Sequence, residues 1–196
     1  MVGRSRQKLG QKFLWVACAA GGLHAAFSLY WAFGGSWLLD TVGEEAARLQ
    51  AEERGTAFVI LFGAAVVEGI AAIIPALAER TRGRRRKIIR SVSWAGGAVL
   101  VAYGTIIAAV SGAVLAGAIS PDGPVDRRGH FGHALLWNPL FALWGVTLLI
   151  GLWLTRSPGR DAEPTTTAEP PAHLPATRSA VRSGSMSQSW RTRSSR

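Results

Sequence analysis

The sequence predicts an all-α fold: a bundle of four transmembrane helices followed by a disordered cytoplasmic C-terminal tail. Three observations support this prediction: four long apolar segments, basic residues gathered on one side of them, and a polar, Pro-rich end. The apolar segments cover residues 13–33, 56–78, 92–119 and 134–154. Each segment is long enough to cross a hydrocarbon core of about 30 Å at a rise of about 1.5 Å per residue.

The distribution of Lys and Arg predicts the orientation of these segments. All but four of the 22 Lys and Arg residues lie in residues 1–12, in the loop 79–90 or after the fourth segment; the exceptions are Arg48, Arg54, Arg127 and Arg128. Since loops rich in Lys and Arg stay in the cytoplasm, we expect a multi-pass protein of the plasma membrane with both termini cytoplasmic. The net charge of +10 therefore reflects topology, and no nucleic-acid partner is expected because the charge is divided among three segments.

The first segment follows a basic stretch, as the apolar core of a signal peptide does. Its small residues Ala17-Cys18-Ala19 come only a few positions into the apolar run, which continues to Phe33. A cleavage site needs a longer apolar stretch before it. We therefore expect residues 13–33 to form a permanent helix.

The connection from Asp40 to Gly55 is acidic and predicts a short helix at the outer surface. Thr41 and Glu44 have the spacing of a capping box, in which each side chain bonds the backbone N–H of the other residue. Gly55 is the residue expected to end this helix.

The second segment carries Glu68 and the first carries His24, each within one residue of the centre of its segment. No other Asp, Glu, Lys, Arg or His lies in the four segments. In an antiparallel hairpin the two side chains would be offset by about 3 Å along the helix axes. We interpret the pair either as interhelical glue or as a ligand or proton site, because ionisable residues at this depth are costly and often functional.

The third segment carries a stripe of small residues at every fourth position: Gly104, Ala108, Gly112 and Ala116. Small residues let two helices approach closely within a membrane. We expect this stripe to pack against another helix, either within the chain or in a homodimer.

The second outer loop, residues 120–133, contains four residues of types that bind transition metals, Asp122, Asp126, His130 and His133, and the last three are the metal candidates. In a helix these three would share one face. The Pro and Gly residues of the loop favour an irregular conformation, and the spacing matches no zinc signature. A metal site at these residues is thus the weaker interpretation, and a solvated loop is the stronger one.

After the fourth segment the composition changes to Pro, Ser, Thr and Arg, which provide little to build a core. Residues 156–196 are predicted to be a disordered cytoplasmic tail. Its arginines and the bilayer's anionic lipid head groups are natural partners. The membrane domain itself should cover residues 13–155, after a basic cytoplasmic N-terminus of residues 1–12.

Two stretches resemble a known family. One runs from Leu23 to Trp37 and contains Leu-His, Tyr-Trp and Gly-Gly-x-Trp; the other runs from Trp137 to Gly145 and contains Asn-Pro. They are similar to a family of small four-helix bacterial membrane proteins known only as a domain of unknown function. The resemblance spans about residues 12–156. It implies membership and topology but assigns no catalytic residues.

Two classes of function follow from these features. The first is a non-enzymatic integral membrane protein that acts in assembly, or binds lipid or a small ligand, in the cell envelope. The second is a small proton-coupled transporter or membrane oxidoreductase that uses His24 and Glu68. The sequence has no Cys pair and no Gly-rich phosphate loop, which argues against an enzyme, and it identifies neither a cofactor nor a substrate.

Overall fold

The computed structural model describes residues 2–78, 81, 83–121 and 123–156. These residues form α-helices and no β-strand: α1 (Val2–Ala32), α2 (Glu44–Glu52), α3 (Arg54–Ala78), α4 (Arg84–Leu115), α5 (Arg127–Gly132) and α6 (Asn138–Leu154). A π-helical turn, His133–Trp137, joins α5 to α6 without a break. The predicted tail lies outside the described residues after Arg156.

Four helical stretches are long and apolar enough to cross a membrane: Arg4–Ala32, Arg54–Ala78, Arg84–Leu115 and Arg127–Leu154. The predicted all-α, four-helix membrane fold is confirmed. Two helices extend beyond their apolar segments, since α1 begins at Val2 and α4 begins at Arg84. Lys and Arg are good helix formers, so a helix does not end where its basic residues begin.

At its other end, α4 finishes at Leu115, four residues before the predicted boundary. Gly117 follows with a φ of 74°, a left-handed conformation that glycine adopts without a steric penalty. Ala116 consequently lies outside the helix, at its C-cap.

The helices pack unequally. α1 packs on both α3 and α6, whereas α4 packs mainly on α6 and has few contacts with α3. Gly21 lies where α1, α3 and α6 meet, because a Cβ at this position would lie 2.5 Å from the Trp144 ring and 2.8 Å from the Ala72 Cβ. The main apolar core surrounds this point and consists of Leu14, Ala17, Ala20, Ala72, Ala76, Trp144, Leu148 and Leu152.

The small-residue stripe of α4 makes a close helix contact at Gly104. A Cβ there would lie 2.5 Å from the carbonyl oxygen of Asn138 and 2.6 Å from the amide nitrogen of Ala142, so the two backbones touch. No atom lies within 4 Å of the corresponding point at Gly112. Ala108 is half-buried and Ala116 is exposed. Within the chain, therefore, the stripe brings two backbones together at Gly104 and leaves open space at Gly112.

The connection between α1 and α3 does form a short helix, α2, but the expected capping box is wrong. The residue before α2 is Gly43, and no side chain at that position caps the helix. The Thr41 hydroxyl instead donates to the Leu38 carbonyl at 2.6 Å and accepts from the Trp137 indole at 3.0 Å. The expected end is also wrong, since α2 ends at Glu52 and Gly55 is the second residue of α3.

Asp126 supplies the missing cap from a distant part of the chain. Its carboxylate accepts from the Gly129 amide at 2.9 Å and from the Glu44 amide at 2.8 Å. These bonds, the Gly129 bond first, lower the pKa of Asp126 because they stabilise the ionised form. One carboxylate thereby caps the starts of both α2 and α5 and links the connection before α2 to the connection before α5.

Candidate functional site

The contact between α1 and α3 brings together the two ionisable residues of the spans. Small residues at this contact let the helices approach, since a Cβ at Gly69 would lie 4.0 Å from the Ala25 Cβ. His24 Nδ1 lies 3.8 Å from Glu68 Oε1. This distance is too long for a direct hydrogen bond but short enough for a strong electrostatic interaction in a medium of low dielectric constant.

The other ring nitrogen of His24 faces α6. His24 Nε2 lies 3.1 Å from the carbonyl oxygen of Trp137. Because a carbonyl oxygen only accepts hydrogen bonds, Nε2 carries the hydrogen. The imidazole also stacks on Phe141, with ring centroids 3.8 Å apart and an interplanar angle of 20°. These contacts determine the orientation of the ring and direct Nδ1 toward Glu68.

The local geometry of α6 places the Trp137 carbonyl. The π-helical turn that ends at Trp137 comes just before Pro139. Proline lacks an N–H, and its ring crowds the carbonyl four residues earlier, so a helix widens or bends at that point. The side-chain amide of Asn138 (Nδ2) donates to the His133 carbonyl at 3.1 Å within the widened turn. Such single turns of π-helix are often found at functional sites.

Glu68 has a second partner, Ser28, which lies one helical turn after His24 on α1. The Ser28 hydroxyl donates to Glu68 Oε2 at 2.9 Å. Oε1 is then the oxygen that faces His24. The side chains of the pair are 7% (His24) and 16% (Glu68) exposed, so both are largely buried within the protein.

The two facing atoms of the pair, His24 Nδ1 and Glu68 Oε1, can each accept a proton. With Nε2 protonated, a neutral His24 presents the lone pair of Nδ1 to Glu68. An ionised Glu68 would then face a lone pair, which is unfavourable at 3.8 Å. One additional proton, on Nδ1 or on Oε1, makes the contact attractive.

The side chains of the three loop residues predicted as weak metal candidates do not form a common metal site. Asp126 caps two helices, as described above, and His133 bonds the Val42 carbonyl through Nε2 at 2.9 Å. His130 Nδ1 is buried and has no hydrogen-bond partner in the described chain. Across the residues that the structure describes, no group of three His, Cys, Asp or Glu side chains could hold a metal ion.

Sequence reasoning identified His24 and Glu68 but not the groups that orient them. Ser28 could have been added, because it lies four residues after His24 and shares its helix face. Trp137 and Phe141 carried no such signal, since their contacts with His24 depend on how α6 packs against α1.

The site lies within a segment that matches a protein-family model. That model is described as Protein of unknown function (DUF3995) and matches residues 21–148. The chain belongs to the DUF3995 family. The resemblance seen in the two aromatic stretches is thus confirmed. All residues of the site lie within the matched segment: His24, Ser28, Glu68, Trp137 and Phe141. No curated protein and no solved structure matches the chain.

Proposed function

We propose that this integral membrane protein is non-enzymatic and binds a small ligand in the membrane interior, and that this ligand is a proton held between His24 and Glu68. The proposal rests on one observation, the closeness of the two side chains: His24 Nδ1 and Glu68 Oε1 lie 3.8 Å apart. Each side chain also makes one further hydrogen bond, His24 to the Trp137 carbonyl and Glu68 to the Ser28 hydroxyl. Histidine and a carboxylate are the side chains best suited to exchange a proton near neutral pH.

Other charged groups bear little on this proton. His24 lies on α1 and Glu68 on α3, and α6 packs beside them. The described residues in the apolar segments of these three helices include no other Asp, Glu, Lys, Arg or His. The ring packed on His24 belongs to Phe141, which in turn contacts Tyr103 of α4 edge-on. Any titration at this depth is therefore a property of His24 and Glu68 together.

Glu68→Gln tests the proposal. The glutamine amide can donate to His24 Nδ1 while its oxygen accepts from Ser28, so the variant should fold with a stability within about 1 kcal/mol of the wild type. It cannot exchange a proton. In the wild type, nuclear magnetic resonance of ¹⁵N-labelled histidine and infrared spectroscopy of the carboxyl group should show His24 and Glu68 titrating at the same pH. In Glu68→Gln, the shared step should be absent.

The signals of His133, which bonds a loop carbonyl away from the pair, serve as the control and should be the same in both proteins. A His24 titration curve that Glu68→Gln leaves unchanged would refute the shared proton.

A small proton-coupled transporter or a membrane oxidoreductase that uses the same pair is the second candidate. The contact between His24 and Glu68 favours it too, since transport driven by protons requires a group that exchanges them within the membrane. A stable Glu68→Gln protein that no longer complements a deletion of its gene would support this candidate. Full complementation would restrict the pair to a binding or packing role.

For the orientation, we propose that both termini lie in the cytoplasm and that the membrane is the plasma membrane, because the basic residues of α1 and α4 are gathered at one end of the bundle. In a Cys18→Ala background, cysteines at Ser36 and Ser120 should react with a membrane-impermeant thiol reagent in intact cells. Both serines are exposed and lie at the opposite end. A cysteine at Ser157 should react only after permeabilisation, and its labelling in intact cells would reverse the orientation.

A homodimer through α4 is our proposal for assembly. The open space at Gly112 leaves the outer half of the small-residue stripe accessible to the α4 helix of a second copy.

A further inference from the structure

A groove opens on the side of the bundle where α3 and α4 have few contacts with each other. It has a volume of about 410 Å³. Its walls include Val67 and Ile74 of α3 and Ile88 and Leu100 of α4, and Trp144 and Leu148 of α6 are also part of its lining. We call this feature the α3/α4 groove. It is apolar along its length, with the hydroxyl of Ser93 as a polar group in the lining.

The depth of the groove corresponds to one leaflet of a bilayer. On α4 it extends from Ile88 to Leu100, which is about 18 Å at the helical rise. Half of a hydrocarbon core is about 15 Å. One end of the groove is therefore close to the membrane surface, and the other is close to the midplane.

The surface end of the groove meets a cluster of basic residues. Arg84 and Arg85 come one helical turn before Ile88 and Ile89, both of which line the groove, so they share its face of α4. Both arginines are exposed. A negatively charged group at the mouth of the groove would thus lie near the guanidinium groups of Arg84 and Arg85.

We propose that the α3/α4 groove binds one acyl chain of an anionic phospholipid, whose phosphate lies against Arg84 and Arg85. A helix of a second copy is about 10 Å across with its side chains, so it could lie over the groove but not within its 410 Å³. A single hydrocarbon chain fits, and the charge at the mouth selects an anionic head group over a zwitterionic one.

Native mass spectrometry of the full chain in mild detergent tests this proposal. The probes are phosphatidylglycerol and phosphatidylcholine with identical acyl chains. We expect one tightly bound lipid per chain and about a tenfold preference for phosphatidylglycerol. Equal binding of the two lipids would overturn the proposal.

Two glycines provide a matched pair of variants for the groove. Gly96 lines the groove and Gly63 does not, and neither has any atom within 4 Å of the position of a Cβ. Gly96→Trp should fill the groove and weaken the binding of both lipids by about tenfold or more. Gly63→Trp should bind like the wild type. Ala71→Trp, on the opposite wall, repeats the test if Gly96→Trp does not fold.

A second pair of variants tests the head-group contact. The double variant Arg84→Gln/Arg85→Gln should lose the preference for phosphatidylglycerol and keep the binding of phosphatidylcholine. The double variant Arg54→Gln/Arg127→Gln removes two exposed arginines from the other end of the bundle and should keep the preference. The lipid site would be refuted if Gly96→Trp and Gly63→Trp bound lipid equally, or if Gly96→Trp changed only the fraction of dimer.

Discussion

Replacing Gly104 by leucine should prevent stable folding, whereas the same replacement at Gly112 should leave stability nearly unchanged. Gly104 allows the backbones of α4 and α6 to touch, and a Cβ there would lie 2.5 Å from the Asn138 carbonyl oxygen and 2.6 Å from the Ala142 nitrogen. Backbone atoms of a packed helix cannot move aside as the end of a side chain can. We expect a loss of about 3 kcal/mol or more, which thermal unfolding of the purified protein in mild detergent will measure.

Gly112 is the matched control, because it is on the same helix and in the same stripe but has no atom within 4 Å of a Cβ. Gly112→Ala should even stabilise the helix by about 0.5–1 kcal/mol, since alanine loses less backbone entropy than glycine. If Gly112→Leu dissociates a dimer without unfolding the chain, the stripe is an interface between copies. Equal losses of stability at the two glycines would contradict the packing described for α4.

The four spans were predictable because hydrocarbon imposes one dominant constraint on sequence. Charged side chains at this depth are so costly that long uncharged runs stand out from the rest of the chain. The same constraint drew attention to His24 and Glu68, whose side chains lie 3.8 Å apart. A strong one-dimensional rule thus located both the membrane segments and the pair of residues at their centre.

The contacts that depend on three-dimensional packing were not predictable in this way. The N-terminal cap of α2 comes from Asp126, 82 residues away from Glu44 in sequence, whereas local spacing pointed to Thr41. The stripe on α4 was correctly seen as a surface of small residues. Which glycine actually meets α6 depends on the crossing point of the two helices, and the repeat of four residues does not encode it.

Alanine substitutions at His24 and Glu68, made singly and together, should give losses of stability that do not add. His24→Ala leaves Glu68 with only the Ser28 hydroxyl and leaves the Trp137 carbonyl without its donor. Glu68→Ala leaves His24 Nδ1 facing an apolar gap. Because each single change strands a polar partner, we expect each to cost about 2–4 kcal/mol. The double variant should cost about 1–2 kcal/mol less than the sum of the two.

Ser93 provides the control for this cycle, since it is a buried polar residue that lines the α3/α4 groove and is not among the contacts of the pair. Ser93→Ala combined with His24→Ala should give losses that add to within about 0.5 kcal/mol. If His24 and Glu68 behaved in the same additive way, their side chains would have no energetic interaction across the 3.8 Å that separates them. Neither a shared proton nor interhelical glue would then explain why two ionisable residues lie at the centre of the membrane.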